Sequence, residues 1–351
     1  METVDRSKIK VYVMASGGLD STLVLRILKD QGLDVIGVYF YTGFCTVEAR
    51  RKIGGKHIEG KSTRNEGLRA GADVEVPMRL IDKSEAYLRM VTNPKHGYGA
   101  NANPCIDCRI FMLLDTKRLM EEEGGHFIAT GEVLGQRPFS QHYKALTEID
   151  KETGLDGRIL RPLSAKLLPP TIAEKEGWVD RGEMYDISGR SRKAQMEMAD
   201  RWGIVDYPQP AGGCCQLTDP NFSRKFHDLL DNRDERVLRP DDVSLLGLGR
   251  HIRVSRDVKA IVGRDADENR VLEIYRRDRW SFTAVGVVGP TTIVEGDPDL
   301  DARLRIASIT AYYSDGRPQP MITVSARFDN GPEQFYDVVP AVRDDFASLL
   351  V

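Results

Sequence analysis

Residues 10–21 read KVYVMASGGLDS, and this stretch decides the fold of the first half of the chain. The β-branched apolar run at 10–15 predicts a buried strand, and apolar residues recur at helical spacing from 23 to 28. Between them, residues 16–18 supply the glycines of a tight turn. A strand, a glycine turn and a helix in this order are typical of anion sites, because free N–H groups and the helix dipole point into the turn.

Further apolar runs predict that this strand belongs to a parallel sheet. Residues 34–40 (DVIGVYF), 72–78 (ADVEVPM) and 126–130 (HFIAT) have the composition of buried strands, and residues 108–123 have the pattern of a helix. Strands that alternate with helices predict an α/β, Rossmann-like parallel sheet with helices on both faces. Ligands of such sheets bind at the carboxyl ends of the strands.

The pattern changes after about residue 206, where turn residues precede a region of short apolar runs. We predict an α/β domain at 1–222 and a smaller, β-rich α+β domain at 223–351. The runs predicted as strands are 251–257 (HIRVSRD), 259–265 (KAIVGRD), 281–289 (SFTAVGVVG), 302–313 (ARLRIASITAYY) and 320–328 (PMITVSARF).

Composition narrows the class of protein. The 351 residues carry a formal net charge of −3, which excludes a polybasic nucleic-acid binder but leaves room for a local basic groove. No run of 18 apolar residues occurs and the first ten residues are polar, so we expect a cytoplasmic protein with no membrane partner. Five cysteines are too few, and odd in number, for a disulfide scaffold.

The turn at residues 16–18 is called the phosphate turn below. It lacks the Gly-Lys-Ser/Thr of a Walker loop, and the spacing of its glycines differs from that of a dinucleotide fingerprint. Residues 16–21 (SGGLDS) resemble instead the pyrophosphate loop of the PP-loop ATPases, which cleave ATP between the α and β phosphates. Residues 130–136 (TGEVLGQ) and 161–163 (RPL) are similar to segments of tRNA 4-thiouridine synthetases. The resemblance covers about residues 10–220 and points to the tRNA-thiolation branch, which includes the 2-thiouridylases.

This resemblance implies a set of ATP contacts. Asp20 would hold Mg²⁺ beside the phosphates and take part in catalysis, and Phe40 would pack against adenine or belong to the core. The residues expected to bind ATP are Ala15, Ser16, Gly17, Gly18, Asp20, Ser21, Phe40, Gly131 and Gln136.

The cysteines form the second informative pattern. Cys105 and Cys108 lie three residues apart at the start of the predicted helix, where the dipole lowers a thiol pKa, and Cys214 and Cys215 follow a Gly-Gly turn. From the residues alone, a structural zinc site, a persulfide relay and buried thiols all remain open, the last being the preferred interpretation of Cys45.

The cysteine pattern also resembles that of iron–sulfur-dependent tRNA thiolases. That resemblance implies a [4Fe–4S] cluster on Cys105, Cys108 and Cys214, with Cys215 as the substitute third ligand. The three ligands are then catalytic too, because the open iron of the cluster holds the sulfide that attacks. Asp107, between the first two cysteines, is either a base or a helix-capping residue.

Two regions are candidates for nucleic-acid contact. The basic stretch from Arg50 to Arg69 could contact phosphates or form a solvated face. Residues 263–269 (GRDADEN) resemble part of the NFACT-R domain of proteins that engage tRNA on ribosomes.

We therefore predict an ATP-dependent sulfurtransferase that adenylates a tRNA uridine oxygen and replaces it with sulfur, releasing AMP and pyrophosphate. The expected cofactors are ATP, Mg²⁺ and the [4Fe–4S] cluster, and the expected partners are tRNA, a sulfide or persulfide donor and a second copy in a homodimer. The alternatives are thiolation of a small molecule or cofactor precursor, a persulfide mechanism without a cluster, and a nucleotide-sensing tRNA- or ribosome-associated binder. Ammonia transfer is disfavoured because it needs no C-x-x-C and no glutaminase segment is present.

Overall fold

The computed structural model describes residues 4–46, 65–207 and 215–351. Contacts between Cα atoms divide these residues into two units. The first unit holds residues 4–42 and 65–207, and the second holds residues 43–46 and 215–351.

Five parallel strands form the sheet of the first unit. They are β1 (Lys10–Met14), β2 (Asp34–Tyr41), β3 (Met78–Asp82), β4 (Phe127–Thr130) and β5 (Ile159–Leu160). Their order is β3-β2-β1-β4-β5, so β1 lies in the centre and pairs with β2 and β4. The carboxyl ends of β1 and β4 therefore meet at one edge, and the predicted Rossmann-like parallel sheet is confirmed.

Helices cover both faces of this sheet. They are α1 (Leu19–Asp30), α2 (Glu66–Asp73), α3 (Ser84–Thr92), α4 (Cys105–Glu122), α5 (Tyr143–Thr153), α6 (Ile172–Lys175) and α7 (Lys193–Arg201). Val11 and Val13 of β1 join an apolar cluster with α1 and α7, whereas Tyr12 and Met14 join a second cluster with α4 and α5. This alternation follows from the two-residue period of a strand.

One strand of the first unit was predicted in the wrong place. Residues 72–78 do not form a strand, because α2 continues to Asp73 and β3 starts only at Met78. Val74 and Val76 are buried in the apolar cluster of α1, but Glu75 between them has a φ of +52°, which interrupts an extended backbone. The apolar alternation here marks a connection that packs on the core. Helix α4 also begins three residues before the predicted start at 108.

The second unit contains a six-stranded antiparallel sheet of order β11-β10-β8-β9-β7-β6. Its strands are β6 (Arg250–Arg253), β7 (Lys259–Val262), β8 (Trp280–Ala284), β9 (Thr292–Glu295), β10 (Ile322–Phe328) and β11 (Gln334–Val338). Its helices are α8 (Pro220–Asp231), α9 (Pro240–Leu246), α10 (Ala266–Ile274), α11 (Leu300–Tyr312) and α12 (Arg343–Phe346). The predicted β-rich α+β class is confirmed.

The strand predicted at 302–313 is wrong, because these residues form most of helix α11. The side chain of Asp299 accepts a hydrogen bond of 2.8 Å from the amide of Ala302 and so caps the helix start. Ile306 and Ile309 are buried against the sheet at helical spacing. Only Ile306, Ile309 and Thr310 of the twelve residues are β-branched, so the cap and the burial of one helix face decide the conformation.

The predicted domain boundary at 222 stays a prediction, and residue 222 lies inside α8. Among the residues that the structure describes, no helix combines the length and apolar character needed to cross a membrane.

Candidate active site

The turn between β1 and α1 is built for close backbone packing. Gly17 has a φ of +75°, and a Cβ there would lie 2.5 Å from the carbonyl carbon of Glu66. The carbonyl oxygen of Gly17 accepts a 2.8 Å hydrogen bond from the guanidinium of Arg69. Any side chain at Gly17 would therefore force the turn away from α2.

The side chain of Arg69 holds this turn in place through its hydrogen bond to Gly17. The side chain is almost completely buried and forms ion pairs with Glu66, at 2.9 Å, and with Asp73. The sequence placed Arg69 at the end of a basic stretch that could contact nucleic acid. Its burial shows that it braces the phosphate turn instead, whereas residues 50–64 of that stretch lie outside the described residues.

The segment after β4 packs directly on the first turn of α1. A Cβ on Gly131 would lie 2.7 Å from the backbone nitrogen of Ser21. Only a glycine allows this approach, which brings the following residues beside the phosphate turn. The resemblance assigned Gly131 to the ATP site, and this geometry gives the glycine a packing reason to be there.

Three side chains from distant parts of the chain meet at the turn. Oδ2 of Asp20 accepts hydrogen bonds from Nε2 of Gln136, at 3.1 Å, and from Nη2 of Arg192, at 3.3 Å. The other polar atoms of the same groups, Asp20 Oδ1, Gln136 Oε1 and Arg192 Nε, are buried and have no hydrogen-bond partner among the described residues. Unsatisfied buried polar atoms are costly, so three in one place indicate a ligand site.

These unpaired atoms fit a magnesium-bound nucleotide. Asp20 and Gln136 offer two oxygens, which are the ligands that Mg²⁺ prefers, and Arg192 offers an N–H for a phosphate oxygen. The start of α1 adds backbone N–H groups and a favourable dipole. The contact of Arg192 with Asp20 was not predicted from the sequence and is a finding of the structure.

A buried ion network holds the β4 segment in position. Glu132 is almost completely buried, with one carboxylate oxygen 3.1 Å from Nε of Arg161 and the other 3.4 Å from Nε of Arg109. Arg161 also binds Asp150, at 2.6 Å. Burial would raise the pKa of Glu132, but the two arginines hold it below its ordinary value. The carboxylate therefore stays charged and fixes the chain between Gly131 and Gln136.

A hydrogen-bonded connection explains why Arg192 reaches the site. The amide of Leu134 donates to Oγ of Ser164, at 2.9 Å, and the carbonyl of Leu134 accepts from the amide of Gly189, at 2.7 Å. The segment that leads into α7 is thereby joined to the segment that follows β4. Arg192 is the residue immediately before that helix.

The other residues predicted to bind ATP lie around the same turn. Ser16 is exposed, and Ala15 is buried with its amide donating to Val38, at 2.9 Å. The hydroxyl of Ser21 donates to the carbonyl of Gly18, at 2.9 Å. Phe40 is half-buried against the apolar cluster of α4 and α5. ATP contact by these residues stays a prediction.

Cys105 and Cys108 open helix α4 and are both half-buried. Between them, the carboxylate of Asp107 accepts from the amides of Lys95 and His96, each at 3.0 Å. Asp107 therefore fastens the turn before the cysteines and does not cap its own helix. In this structure its oxygens are engaged as structural acceptors, which argues against the base role considered from the sequence.

His96 continues this network away from the cysteines. Its ring nitrogens lie 3.1 Å from Asp107 and 2.9 Å from Glu152. Burial would lower the pKa of His96, but the hydrogen bonds to these two carboxylates raise it above its ordinary value. In the described part of the chain, the group of side chains close enough to share a metal ion is His96, Glu148 and Glu152, with no cysteine among them.

The remaining cysteines belong to the second unit or lie outside the described residues. Cys45 and Cys215 face each other in a short antiparallel bridge, next to a 2.9 Å hydrogen bond from the amide of Gln216 to Phe44. The sequence treated Cys45 as unrelated to the 214–215 turn, so this juxtaposition was missed. Cys214, the predicted third cluster ligand, lies outside the described residues, and the cluster stays a prediction.

Comparison with known families supports the interpretation of the first unit. Residues 9–152 match the family model described as the tRNA methyl transferase HUP domain. Over 150 residues, the chain is 26% identical to the tRNA-specific 2-thiouridylase MnmA of Bartonella quintana (strain Toulouse), covering 41% of this chain and 35% of that protein. The predicted resemblance to the PP-loop tRNA-thiolation branch is confirmed. A 2-thiouridylase of Clostridium tetani is 28% identical over 159 residues, 43% of this chain and 38% of its own.

The chain thus spans little more than a third of the length of these curated relatives. Two solved structures are also similar to it. A predicted subunit of tRNA methyltransferase from Methanocaldococcus jannaschii has a TM-score of 0.34 at 14% identity, covering 55% of this chain and 76% of that one. A 4-thiouridine synthetase–RNA complex with bound ATP has a TM-score of 0.31 at 18% identity, covering 56% and 51%.

The second unit matches a different family. Residues 249–349 match the model described as the NFACT protein RNA binding domain, which confirms the resemblance seen at 263–269. In the structure, residues 263–269 make packing and hydrogen-bond contacts between neighbouring elements of the second unit. A Cβ on Gly263 would lie 2.0 Å from Oδ1 of Asn269, which itself accepts from the amide of Thr291, at 3.0 Å. The buried Glu268 accepts from the amide of Gly249, at 3.2 Å. The motif therefore joins β7, α10 and the start of β9.

Proposed function

We propose that the chain is an ATP-dependent tRNA sulfurtransferase. The observation that carries the proposal is the meeting of Asp20, Gln136 and Arg192 at the phosphate turn, each with a buried polar atom that has no partner in the described residues. The family match of residues 9–152 and the RNA-binding match of residues 249–349 support tRNA as the acceptor.

Each residue of the turn has a defined task in the first step. A uridine carbonyl oxygen attacks the α-phosphate, the bond between the α-phosphorus and the bridging oxygen breaks, and pyrophosphate leaves with Mg²⁺. Asp20 and Gln136 would hold that Mg²⁺, which neutralises phosphate charge when bound. Arg192 would donate its Nε–H to a phosphate oxygen. The N–H groups at the start of α1 would stabilise the negative charge that develops on the phosphate oxygens.

The second step forms the carbon–sulfur bond. A sulfur nucleophile adds to the adenylated carbon, the carbon–oxygen bond breaks, and AMP leaves with the former uridine oxygen. A [4Fe–4S] cluster on Cys105, Cys108 and Cys214 would supply bound sulfide. A persulfide on one of these cysteines would supply the same atom, with a second thiol resolving it as a disulfide. We favour the cluster because the cysteine order resembles that of the iron–sulfur thiolases.

The experiment follows AMP and thionucleoside in the same reaction. Full-length protein, prepared without oxygen, is incubated with ATP, Mg²⁺, sulfide and bulk tRNA, and the tRNA is digested for nucleoside mass spectrometry. AMP and a thiolated uridine in equal amounts are expected. AMP that forms with a small acceptor but never with tRNA would overturn the assignment of the substrate.

Two variants distinguish an effect on the candidate active site from a general effect on the protein. Asp20→Asn should reduce the rate of AMP formation at least about a hundredfold, because a neutral amide does not offset the positive charge of Mg²⁺. Asp200→Asn, an exposed residue of α7, makes the same chemical change away from the turn and should leave the rate unchanged. Chemical analysis of iron and sulfide in the wild type and in Cys105→Ser tests the cluster, and a colourless, zinc-loaded wild type would contradict it.

A further inference from the structure

Three arginines in the second unit stack on one group of aromatic rings. The rings are those of Tyr312, Tyr313 and Phe346, whose centroids lie 4.9–5.9 Å apart. The guanidinium carbon of Arg317 lies 4.0 Å from the centroid of Tyr312, and that of Arg250 lies 4.6 Å from the centroid of Tyr313. These residues, together with Arg343, form the arginine–tyrosine cluster.

The members of this cluster come from three separate segments. Arg250 begins the edge strand β6, Tyr312 ends α11, and Arg317 lies in the following turn. Arg343 begins α12, with its guanidinium carbon 5.4 Å from the centroid of Phe346 and its Nη1 donating to the hydroxyl of Tyr313, at 2.9 Å. Three positive charges thus lie against one group of rings, and Nη1 of Arg250 also donates to the carbonyl oxygen of Gly263, at 3.3 Å.

No carboxylate of the described residues forms an ion pair with Arg250, Arg317 or Arg343. Elsewhere in the same unit, arginines do have such partners: Arg233 binds Asp242 at 2.6 Å, and Arg253 binds Asp228 at 2.5 Å. Acids are not scarce here, because residues 295–351 contain ten acids and five bases, 10 − 5 giving a net charge of −5. The cluster therefore keeps its positive charge within an acidic segment.

A guanidinium that is stacked on an aromatic ring is oriented for binding an anion. A ring under its flat face fixes its orientation and leaves the N–H edge available, and that edge matches two phosphate oxygens. Arg317 and Arg343 are exposed, so the outer face of each stacked guanidinium is open to an unpaired base, which stacks on such planes. A chain of phosphates with bases between them satisfies both features.

We propose that the arginine–tyrosine cluster binds the phosphate backbone of an RNA. The proposal rests on the proposed function for its choice of tRNA as the probe. An acidic protein segment would also satisfy the positive charge, but it has no bases to stack on the outer faces of the guanidiniums. The helix dipole at the end of α11 favours cations there as well, but it gives no reason for Arg250, on a strand, to join them.

The test measures binding of labelled bulk tRNA to the full-length protein by fluorescence anisotropy over a range of salt concentrations. The combined variant Arg250→Gln, Arg317→Gln, Arg343→Gln should raise the Kd at least about tenfold. It should also lower the slope of log K against log salt by about 2, at about 0.7 for each lost contact to single-stranded phosphate. Replacing the same three residues by lysine should keep most of the slope and still weaken binding severalfold, because lysine cannot stack as a planar fork.

A matched control makes the same change in charge. Arg236, Arg256 and Arg270 are exposed residues of the same unit, each in an ion pair with an aspartate, and their replacement by glutamine should leave the Kd within about twofold. Thermal unfolding of every variant reports folding, and the single exposed variant Arg317→Gln provides a milder change if the combined variant is unstable.

Each other outcome overturns the proposal. Equal tRNA binding by the wild type and by the cluster variant would do so, as would equal losses in the cluster and control variants. Loss of poly-glutamate binding with unchanged tRNA binding would assign the surface to an acidic protein. AMP release that depends on Asp20 with no RNA binding at all would overturn this proposal and the tRNA substrate, but not ATP use by the first unit.

Discussion

Arg192 and Asp20 are 172 residues apart in the chain, yet Nη2 of the arginine lies 3.3 Å from Oδ2 of the aspartate. Both side chains are mostly buried, with exposed fractions of 19% and 18%. Oδ1 of Asp20 and Nε of Arg192 have no hydrogen-bond partner within the described part of the chain. The contact thus leaves a carboxylate oxygen and an N–H side by side, and we expect this combination to suit an ATP–Mg²⁺ complex.

Arg192→Gln should lower the rate of AMP formation by about ten- to a hundredfold, because it removes a charge-assisted hydrogen bond to phosphate. The rate is measured with labelled ATP at saturating tRNA. Arg190→Gln removes the same charge from an exposed residue two positions earlier and serves as the control. Equal rates for the two variants would remove Arg192 from the site.

Gly131→Ala should disturb the phosphate turn, because its Cβ would lie 2.7 Å from the backbone nitrogen of Ser21. We expect a loss of about 1–3 kcal/mol in the free energy of unfolding and weaker ATP binding, measured by denaturant titration and calorimetry. Gly247→Ala is the control, since that glycine has a helical backbone and a nearest contact of 3.3 Å. Wild-type ATP affinity in Gly131→Ala would show that the close approach is dispensable.

The sequence predicted those parts of the candidate active site that lie in short sequence motifs. The turn after β1, the glycine after β4 and Gln136 each lie in a short motif next to a strand, and the order of parallel strands brings them together. Arg192 has no such signal, because its position depends on the hydrogen bonds between Leu134 and Gly189. A contact that is set by the packing of two loops leaves no periodic pattern in the chain.

The two misplaced strands have a related cause. At 72–78 and at 302–313, apolar residues are frequent, but a left-handed Glu75 and the Asp299 cap determine the backbone. Residue preference is a weak signal where a cap or one strained residue acts against it. The first-unit sheet and the class of the second unit could be predicted because several strands support each conclusion at once.

Arg161→Met should cost about 3–5 kcal/mol in the free energy of unfolding, because it leaves the buried carboxylate of Glu132 and the half-buried carboxylate of Asp150 without their shared partner. Urea titration measures the loss. Arg158→Met, an exposed neighbour, should change stability by less than about 0.5 kcal/mol. Adding Glu132→Gln to Arg161→Met should recover part of the loss, and a strictly additive result would contradict a direct interaction.

Lys225 of α8 is a buried amine whose hydrogen-bond partners, among the residues described, are backbone carbonyls. Its Nζ donates to the backbone oxygens of Leu246, Leu248 and Gly249, at 3.4, 3.2 and 3.0 Å. Burial lowers the pKa of Lys225 from its ordinary 10.5 to about 8. The amine therefore loses its proton more easily in the folded protein than in the unfolded chain.

This difference predicts a rise in stability at alkaline pH. Between pH 8 and 10.5 the unfolded chain binds more protons at Lys225 than the folded protein, so the free energy of unfolding should increase by up to about 1.4 kcal/mol per pH unit, relative to Lys225→Met. Below pH 8 the amine is charged in both states and the difference between the two proteins should be constant. Denaturant titrations at intervals from pH 7 to 10.5 measure it, and the exposed Lys151→Met serves as the control because it should follow the wild type throughout. Parallel curves for the wild type and Lys225→Met would show that the amine keeps its ordinary pKa, and so is not desolvated by the fold.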